Sequence, residues 1–280
     1  MQTLILTDIH GNLPALEAVL STPEAQACHQ VISLGDYSGF GPNPLDVYQR
    51  LTSLHAVMLL GNHEERLHHM EKPAFAGYNW ALARWTATQL WGQNLHHPRV
   101  YRMGRVLMTH GTPGDPFHLI DGEEAQALLP ALPEDIQLVI SGHNHIPFRA
   151  SVQGRSWVNP GSLGMLEDET GSMAAFAVLR MAKGEPSITV HRVPYDPGKV
   201  LHAMVAQSLH TLAPEMCHAV YLTMTRGLPQ YMLRLVDHVK RTAAPLGLSL
   251  GDQQAWKIAD ETFPWADGCT SREFWKEVLS

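Results

Sequence analysis

The sequence predicts an α/β fold in which two packed mixed β-sheets are flanked by helices, a sandwich of four layers. Three observations lead to this prediction. Short apolar runs alternate with helix-like segments in the first part of the chain, as in βαβ units. Over residues 148–193 the pattern changes to closely spaced short strands. The chain has 280 residues, 45% of them hydrophobic, which is enough for one large core.

The first predicted helices follow apolar runs directly. Asn12 can cap a helix over residues 13–20, because its side chain can accept a hydrogen bond from the first turn. A second helix is expected to begin at Pro44, since proline suits the first helical position. A long helix is predicted over residues 74–91 from the spacing of its tryptophan and leucine side chains.

Strands dominate the middle of the chain, and helices its end. A turn at Met103-Gly104 between two apolar segments predicts a hairpin. Residues 195–280 contain helix patterns after Pro197, around Val236 and after Ser271. We therefore predict a main domain over residues 1–194 and a helical C-terminal appendage over 195–280. Packing of the appendage on the core is favoured, and a lid over a site or a dimer contact is the alternative.

Five of the apolar runs end in residues that can bind a metal ion. In chain order these residues are Asp8 and His10, Asp36, Asn62 and His63, His110, and His143 and His145. Runs of this length bounded by glycine and polar residues are typical of buried strands. In open α/β sheets, sites form just outside the carboxyl ends of the strands. The side chains are therefore expected to meet in one crevice, which indicates a two-metal hydrolase.

Charge and cysteine content exclude several classes of protein. A net charge of −7 argues against an extended nucleic-acid-binding surface, which needs clustered lysine and arginine. Cys28, Cys217 and Cys269 are too scattered for a disulfide framework or a cysteine zinc site. The chain begins directly with a strand pattern, and no apolar run reaches the length of a membrane span. We expect a cytoplasmic protein that does not bind membranes.

The strand-end residues also form motifs known from one superfamily. The motifs are Asp8-x-His10, Gly35-Asp36, Gly61-Asn62-His63-Glu64, His110-Gly111 and Gly142-His143-Asn144-His145. In this order they resemble the five blocks of the calcineurin-like metallophosphoesterases. Asn144 departs from the pattern, where the superfamily more often has threonine or serine. The later Asn159-Pro160-Gly161-Ser162 resembles a loop of its small prokaryotic phosphodiesterase branch. The resemblance covers about residues 1–165 and implies the metallo-dependent phosphatase fold, with residues 1–194 as the catalytic domain.

The resemblance also implies a set of metal ligands. It gives one ion Asp8, His10, Asp36 and His145, and the other ion Asp36, Asn62, His110 and His143. Asp36 would then bridge two divalent ions. Mixed imidazole and oxygen ligands suit Mn, Fe, Zn, Ni or Co better than Ca, and Mn is our first expectation. Two such ions would create a local site for anions in an acidic protein.

The catalytic roles are likewise expectations from the resemblance. A hydroxide bridging the two metals would be the nucleophile, and His63 would protonate the leaving group. Glu64 is expected to support the fold or the ligands rather than to catalyse. Arg66 and His118 are candidates for binding substrate, because each is close in sequence to a ligand block.

The surroundings of the motifs favour a diester substrate. The serine/threonine protein phosphatase branch has an arginine shortly after its Gly-Asp and another just before its Gly-Asn-His-Glu. Here the sequence has Tyr37-Ser38 and Leu60, so a doubly charged monoester would lose two guanidinium contacts. We therefore predict a phosphodiesterase acting on a small phosphoester or nucleotide-type substrate. The alternatives are a phosphomonoesterase or serine/threonine protein phosphatase, and a non-catalytic scaffold. A homo-oligomer formed through the C-terminal helices is possible.

Overall fold

Two five-stranded mixed sheets form the centre of the computed structural model, which describes residues 1–115 and 117–280. The strands are β1 Gln2–Leu6, β2 Gln30–Ser33, β3 Val57–Met58, β4 Val100–Met103, β5 Val106–Thr109, β6 Leu138–Ile140, β7 Phe148–Val152, β8 Arg155–Asn159, β9 Met173–Ala182 and β10 Glu185–Pro194. The first sheet has the order β10-β9-β1-β2-β3, and the second has the order β4-β5-β6-β8-β7. The hairpin predicted around Met103-Gly104 is confirmed as β4 and β5.

Helices cover the outer faces of both sheets. They are α1 Leu13–Leu20, α2 Pro23–Gln26, α3 Pro44–Ser53, α4 Asn62–Leu67, α5 Ala81–Gln89, α6 Gly122–Leu128, α7 Pro197–Ala206, α8 Leu209–Leu212, α9 Pro214–Arg226, α10 Tyr231–Ala243, α11 Gln253–Asp260 and α12 Ser271–Val278. The predicted helix starts at Asn12 and Pro44 are confirmed. The Asn12 side chain accepts a hydrogen bond from the Ala15 N–H at 3.1 Å.

The strand directions bring the ligand-type residues to one edge of each sheet. Strands β1, β2 and β3 run parallel, so the segments that follow them begin at the same edge. Strands β5 and β6 are also parallel, and the segments after them begin at one edge of the second sheet. Sites in α/β proteins form at such carboxyl edges.

Three groups of buried side chains separate the layers. Ile5, Ile32 and Ile140 belong to the apolar layer between the two sheets. Trp157 of the second sheet packs with residues of α6, and Phe176 of the first sheet packs with α1 and the C-terminal helices. The order helix, sheet, sheet, helix confirms the predicted four-layer sandwich.

The helix predicted over residues 74–91 is wrong in its first half. Only α5 is α-helical there, and two 3-10 turns precede it at Pro73–Phe75 and Tyr78–Trp80. The Tyr78 N–H donates to Gly251 O at 2.9 Å, which is a contact across 173 residues of sequence. This long-range backbone pairing replaces the hydrogen bonds that a continuous helix would need.

The C-terminal helices differ in detail from the sequence pattern. The helix expected from Pro197 ends at Ala206, and α8 follows after Ser208, whose φ of 57° is left-handed. Helix α9 was not predicted because it is buried on nearly every side and therefore lacks a one-sided apolar period. The last helix is confirmed, although its cap is Thr270 rather than Ser271.

The appendage shares one hydrophobic core with the rest of the chain. Leu16 and Phe176 of the first 194 residues belong to the same buried cluster as Val220, Leu235 and Trp256. Within the described residues, no helix combines the length and apolar character that crossing a membrane requires. Packing of residues 195–280 on the core is therefore extensive.

Candidate metal centre

The backbone at the strand ends takes unusual conformations. Asp8, His10, Asp36 and His143 have φ values of 53°, 49°, 49° and 65°, in the left-handed region. The His10 N–H donates to Asp36 O at 2.9 Å, so the loops after β1 and β2 hold each other. A non-glycine residue in this region costs about 1–3 kcal/mol, and such strain is concentrated at functional sites. All four residues belong to the groups of side chains that could hold a cation.

The side chains form three overlapping groups that could each hold a cation. The groups are Asp8, His10 and His145; His10, Asp36 and His63; and Asp36, His110 and His143. Within each group the candidate ligand atoms lie within 4.8 Å of one another. Asp36 Oδ2 is 3.3 Å from His110 Nε2 and 4.0 Å from His10 Nε2, so this carboxylate lies between two ligand sets.

Each of the four candidate ligand histidines has one ring nitrogen held by a hydrogen bond to an oxygen that can only act as acceptor. The pairs are His10 Nδ1 with Ser38 O at 3.2 Å, His110 Nδ1 with Leu34 O at 3.1 Å, His145 Nδ1 with Glu167 Oε1 at 2.9 Å, and His143 Nε2 with Phe117 O at 3.2 Å. The fixed nitrogen must carry the proton. In the neutral ring the other nitrogen then points a lone pair into the cluster, which is how metal-binding histidines are oriented.

One buried oxygen and two facing ring nitrogens require a cation or a proton between them and their neighbours. Asp8 Oδ2 accepts from Thr7 Oγ1 at 2.6 Å and from the His143 N–H at 3.0 Å. Among the described residues, Asp8 Oδ1 has no hydrogen-bond partner although it is buried. His10 Nε2 and His145 Nε2 face each other at 3.0 Å. Unpaired buried oxygens and opposed lone pairs fit a metal site.

The Asn62 amide can point either way, and the two orientations suit different surroundings. In one, Oδ1 faces His110 Nε2 at 3.0 Å. In the other, the amide nitrogen donates to Asp36 Oδ2 at 3.0 Å, and the oxygen accepts from Arg66 Nη1 at 2.6 Å. A cation among Asp36, His110 and His143 would favour the first orientation, because an amide oxygen can then act as a ligand.

Charges within the cluster shift its pKa values strongly. Burial alone would raise the pKa of Asp36, but nearby His110 and His63 hold it well below its usual value. Burial lowers the pKa of His110, yet the Asp36 charge outweighs this and raises it to about 9. Burial lowers the pKa of His63 to about 4. Burial would also raise the pKa of Asp8, but the hydrogen bond to His145 and the nearby His110 lower it to about 2. Asp8 and Asp36 are therefore both ionised at neutral pH, as carboxylate ligands of a metal must be.

Glu64 joins the two loops that carry Asp36 and Asn62. Its buried carboxylate accepts from the Asp36 N–H at 2.8 Å, the Gly61 N–H at 3.1 Å, and the Ser38 N–H and hydroxyl at 3.0 and 2.7 Å. All four contacts are to the protein's own donors. The geometry is that of a positioning residue, which orients ligands without reaching the cavity.

The loop at Asn159-Pro160-Gly161-Ser162 positions two further ligand segments. The Asn159 side chain donates to Gly142 O at 2.9 Å and to Asn144 O at 2.7 Å. The Ser162 hydroxyl donates to Asp8 O at 2.7 Å. This loop therefore ties the strand end before His143 to the strand end at Asp8.

The structure places the three other candidates differently. His63 lines the cavity beside the cluster, and its N–H donates to Asp36 Oδ1 at 2.8 Å. Arg66 also lines the cavity, and its guanidinium carbon is 4.9 Å from the centre of the Phe117 ring. His118 is 43% exposed, pairs with Glu124 at 2.7 Å, and does not line this cavity.

The cavity itself has a volume of about 230 Å³ and mainly apolar walls. Phe40, Ile146 and Met165 form part of these walls, and Met232 and Leu233 of α10 close another side. Sequence reasoning gave a lid over the site only as the alternative for the appendage, and it did not identify Met232 and Leu233 as cavity residues. No spacing signal pointed to them, because the residues of α10 form an ordinary amphipathic helix.

Sequence reasoning also missed Glu167. Its carboxylate binds His145 Nδ1 at 2.9 Å and accepts from the Gln230 N–H at 2.6 Å. Glu167 thus connects a candidate ligand to the start of α10. It lies in a loop that follows no strand directly, so its sequence position carries no signal for this role.

Similarities to known proteins extend over more than half of the chain. The sequence model of the calcineurin-like phosphoesterase superfamily domain matches residues 1–183. Phosphodiesterase YfcE of Escherichia coli K12 is 28% identical, in a match that covers 62% of this chain and 92% of YfcE. An uncharacterised protein of Methanocaldococcus jannaschii is 26% identical, in a match that covers 73% of this chain and 92% of that protein.

Solved structures show the same architecture. The crystal structure of a metallophosphoesterase from Sphaerobacter thermophilus matches with a TM-score of 0.69 and 26% identity. The match covers 81% of this chain and 99% of that chain. A hypothetical protein from Pyrococcus horikoshii matches with a TM-score of 0.66 and 19% identity, over 81% of this chain and 99% of that chain, which concerns the fold alone.

Proposed function

Because the chain belongs to the calcineurin-like phosphoesterase superfamily, we propose that it is a binuclear metal-dependent phosphodiesterase. The observation that carries this proposal is the position of Asp36 Oδ2 between two sets of oriented imidazoles. One carboxylate oxygen in that position suits a bridge between two cations. The intact set of ligand-type residues also argues against a non-catalytic scaffold.

We assign the ligands to two ions. Asp8, His10, Asp36 and His145 would hold one ion, and Asp36, Asn62, His110 and His143 would hold the other. Mixed imidazole, carboxylate and amide ligands favour Mn, with Fe, Zn, Ni or Co as alternatives. When bound, the two ions would activate water as the nucleophile and stabilise charge on the phosphoryl oxygens.

His63 is the proposed proton donor to the leaving oxygen. Its side chain is 17% exposed and borders the cavity, whereas the four ligand histidines are each fixed through one nitrogen. Burial lowers the pKa of His63 to about 4 in the substrate-free protein. An anionic phosphoester beside the ring would raise that pKa, because it stabilises the imidazolium. Protonation of His63 would therefore accompany substrate binding.

The walls of the cavity favour a diester. Arg66 is the only lysine or arginine among the described residues that line it, and apolar side chains form much of the remaining surface. A diester carries a single negative charge and two carbon groups, which matches one guanidinium and apolar walls. The similarity to YfcE, which is named a phosphodiesterase, supports the same conclusion.

A phosphomonoesterase is the second candidate, and Arg66 is the observation that favours it. In one Asn62 orientation Arg66 Nη1 is 2.6 Å from the Asn62 oxygen, so this guanidinium lies beside the candidate centre. It could bind the additional charge of a monoester. A preference for monoesters would then depend on Arg66.

A matched pair of aryl substrates tests the proposal. With Mn supplied, kcat/KM for bis(4-nitrophenyl) phosphate should exceed that for 4-nitrophenyl phosphate. Arg66→Ala should lower activity on the monoester more than on the diester. A strong monoester preference in the wild-type protein would favour the second candidate. Absence of metal-dependent turnover with both esters would favour the scaffold.

A further inference from the structure

A second cavity of about 190 Å³ adjoins the one over the candidate metal centre. We call it the side pocket. Its walls include the apolar side chains of Phe40, Trp80, Leu82, Met216, Val236 and Trp256. The catalytic domain provides the first three of these residues, and the appendage helices α9, α10 and α11 provide the others.

The two cavities meet at His63. Phe40, His63, Arg66, Met232 and Leu233 line both of them. The His63 ring packs edge-on against the Phe40 ring, with centroids 4.7 Å apart. A group attached to an oxygen beside His63 can therefore extend from the metal cavity into the side pocket.

The polarity of the side pocket restricts what it can bind. Among the described residues that line it, none is acidic, and Arg66 is the only one with a permanent charge. The Thr86 hydroxyl already donates to Gly39 O at 3.0 Å. A cationic group would lack an acidic partner and be repelled by Arg66. The side pocket therefore suits an uncharged, mainly apolar group.

Its size suggests the dimensions of that group. An apolar cavity of about 150 Å³ is known to accommodate benzene, so the side pocket has space for about one substituted ring. The wall at Trp256 is fixed, because its indole N–H donates to Leu250 O at 2.9 Å and its ring packs against Tyr78 at 5.8 Å. A fixed wall can discriminate by shape.

We propose that the side pocket binds the leaving group of the substrate, and that this group is uncharged, apolar and about the size of one ring. The proposal rests on the proposed phosphodiesterase function and on the position of His63 where the two cavities meet. In the reaction, a water oxygen forms a bond to phosphorus as the bond to the leaving oxygen breaks. The leaving oxygen takes up one proton and departs as an alcohol, and the attacking water gives up one proton, so the number of protons is unchanged. The carbon group of the alcohol lies in the side pocket, which His63 separates from the cavity over the candidate metal centre.

Esters of methylphosphonate provide the test, because each has one negative charge and only one bond to an alcohol leaving group. The benzyl, methyl and choline esters differ in leaving group alone. Burying a ring of this size is worth about 1.5–3 kcal/mol, so kcat/KM for the benzyl ester should exceed that for the methyl ester about 10–100-fold. The choline ester should not show this increase in kcat/KM over the methyl ester. A preference for the choline ester would overturn the proposal.

Two alanines on α5 provide matched variants. Ala83 lines the side pocket, whereas Ala87, one turn later, lines a different surface cavity. Ala83→Leu fills the side pocket and should reduce the benzyl-to-methyl ratio about tenfold or more. Ala87→Leu should leave the ratio unchanged. An unchanged ratio in a folded Ala83→Leu protein overturns the proposal.

Two further measurements separate this inference from the proposed function and from misfolding. Calorimetric binding of benzyl alcohol does not require catalysis, and Ala83→Leu should weaken it where Ala87→Leu does not. If no ester is hydrolysed, the proposed function fails, and this binding contrast still decides whether the side pocket accepts the ring.

Val236→Ala enlarges the pocket and should shift preference from benzyl towards naphthylmethyl esters. No shift would contradict the proposal even if Ala83→Leu does not fold.

Discussion

The direction of each histidine ring determines what the candidate centre can bind. His10, His110 and His143 are each fixed by a backbone carbonyl, and His145 is fixed by the Glu167 carboxylate. The free nitrogens then converge around Asp8 and Asp36. Preorganised side chains of this kind would bind a metal without reorienting, which would lower the cost of binding.

That the candidate ligands lie together could be predicted from sequence, because each follows an apolar run that ends at a sheet edge. The residues that orient these ligand side chains could not be predicted from sequence. Glu167 contacts His145 at 2.9 Å, but no local pattern relates these two positions. His118, close in sequence to a ligand block, instead pairs with Glu124 on the surface. Closeness in sequence to a ligand block is therefore a weak indication that a loop residue lies at the site.

At the residue scale, His63→Ala tests the role of the proposed proton donor. An alkoxide leaves poorly without a proton, whereas a nitrophenolate leaves readily. The variant should lose about 10²–10⁴-fold in kcat on alkyl esters and much less on nitrophenyl esters. Metal content measured on the same samples should stay at the wild-type level. Equal losses on both ester types, or loss of metal, would assign His63 to phosphate or metal binding instead.

Elements that contact distant parts of the chain were the hardest to predict. Residues 74–80 have a helix-like pattern, yet they form turns because Tyr78 pairs with Gly251 and Asn79 with Leu250. Helix α9 lies in the shared core, where burial on nearly every side removes the usual one-sided apolar period. In contrast, the strands and α1 were predictable, since their alternation and caps are local signals.

At the element scale, a glycine pair tests the contact between residues 74–80 and the appendage. A Cβ on Gly77 would lie 2.7 Å from the Gly251 Cα, whereas a Cβ on Gly114 would meet nothing within 4 Å. Gly77→Ala should lower the free energy of unfolding by about 1–3 kcal/mol, because the two backbones must separate. Gly114→Ala is the control and should change the free energy of unfolding little. Denaturant unfolding of both variants measures the difference, and equal stabilities would show that this contact is not tight.

On the scale of the whole molecule, the appendage is part of the core and of the site. Helices α9, α10 and α11 contribute buried side chains to the cluster that contains Leu16 and Phe176. Residues of α10 also line the cavity over the candidate centre. Sequence reasoning treated packing of the appendage on the core and covering of the site as alternatives. The amphipathic helix α10 does both, because it packs on the core and lines the cavity.

Truncation tests this integration. Ending the chain after Tyr195 would expose the apolar surface that α9, α10 and α12 cover, so the protein should lose cooperative thermal unfolding and most of its soluble yield. Ending it after Val278 removes only exposed residues and serves as the control. A soluble 1–195 protein with the melting temperature of the full chain would show that residues 1–195 fold independently of the C-terminal helices.

The number of bound metal ions tests the central claim most directly. After removal of metal and reloading with Mn, elemental analysis of the dialysed protein should give two Mn per chain. Asp36→Asn should reduce the value below one, because the substitution takes a charge away from both ligand sets. Asn62→Ala should weaken one site and leave the other occupied. A wild-type stoichiometry that stays at or below one after reloading would contradict the binuclear centre.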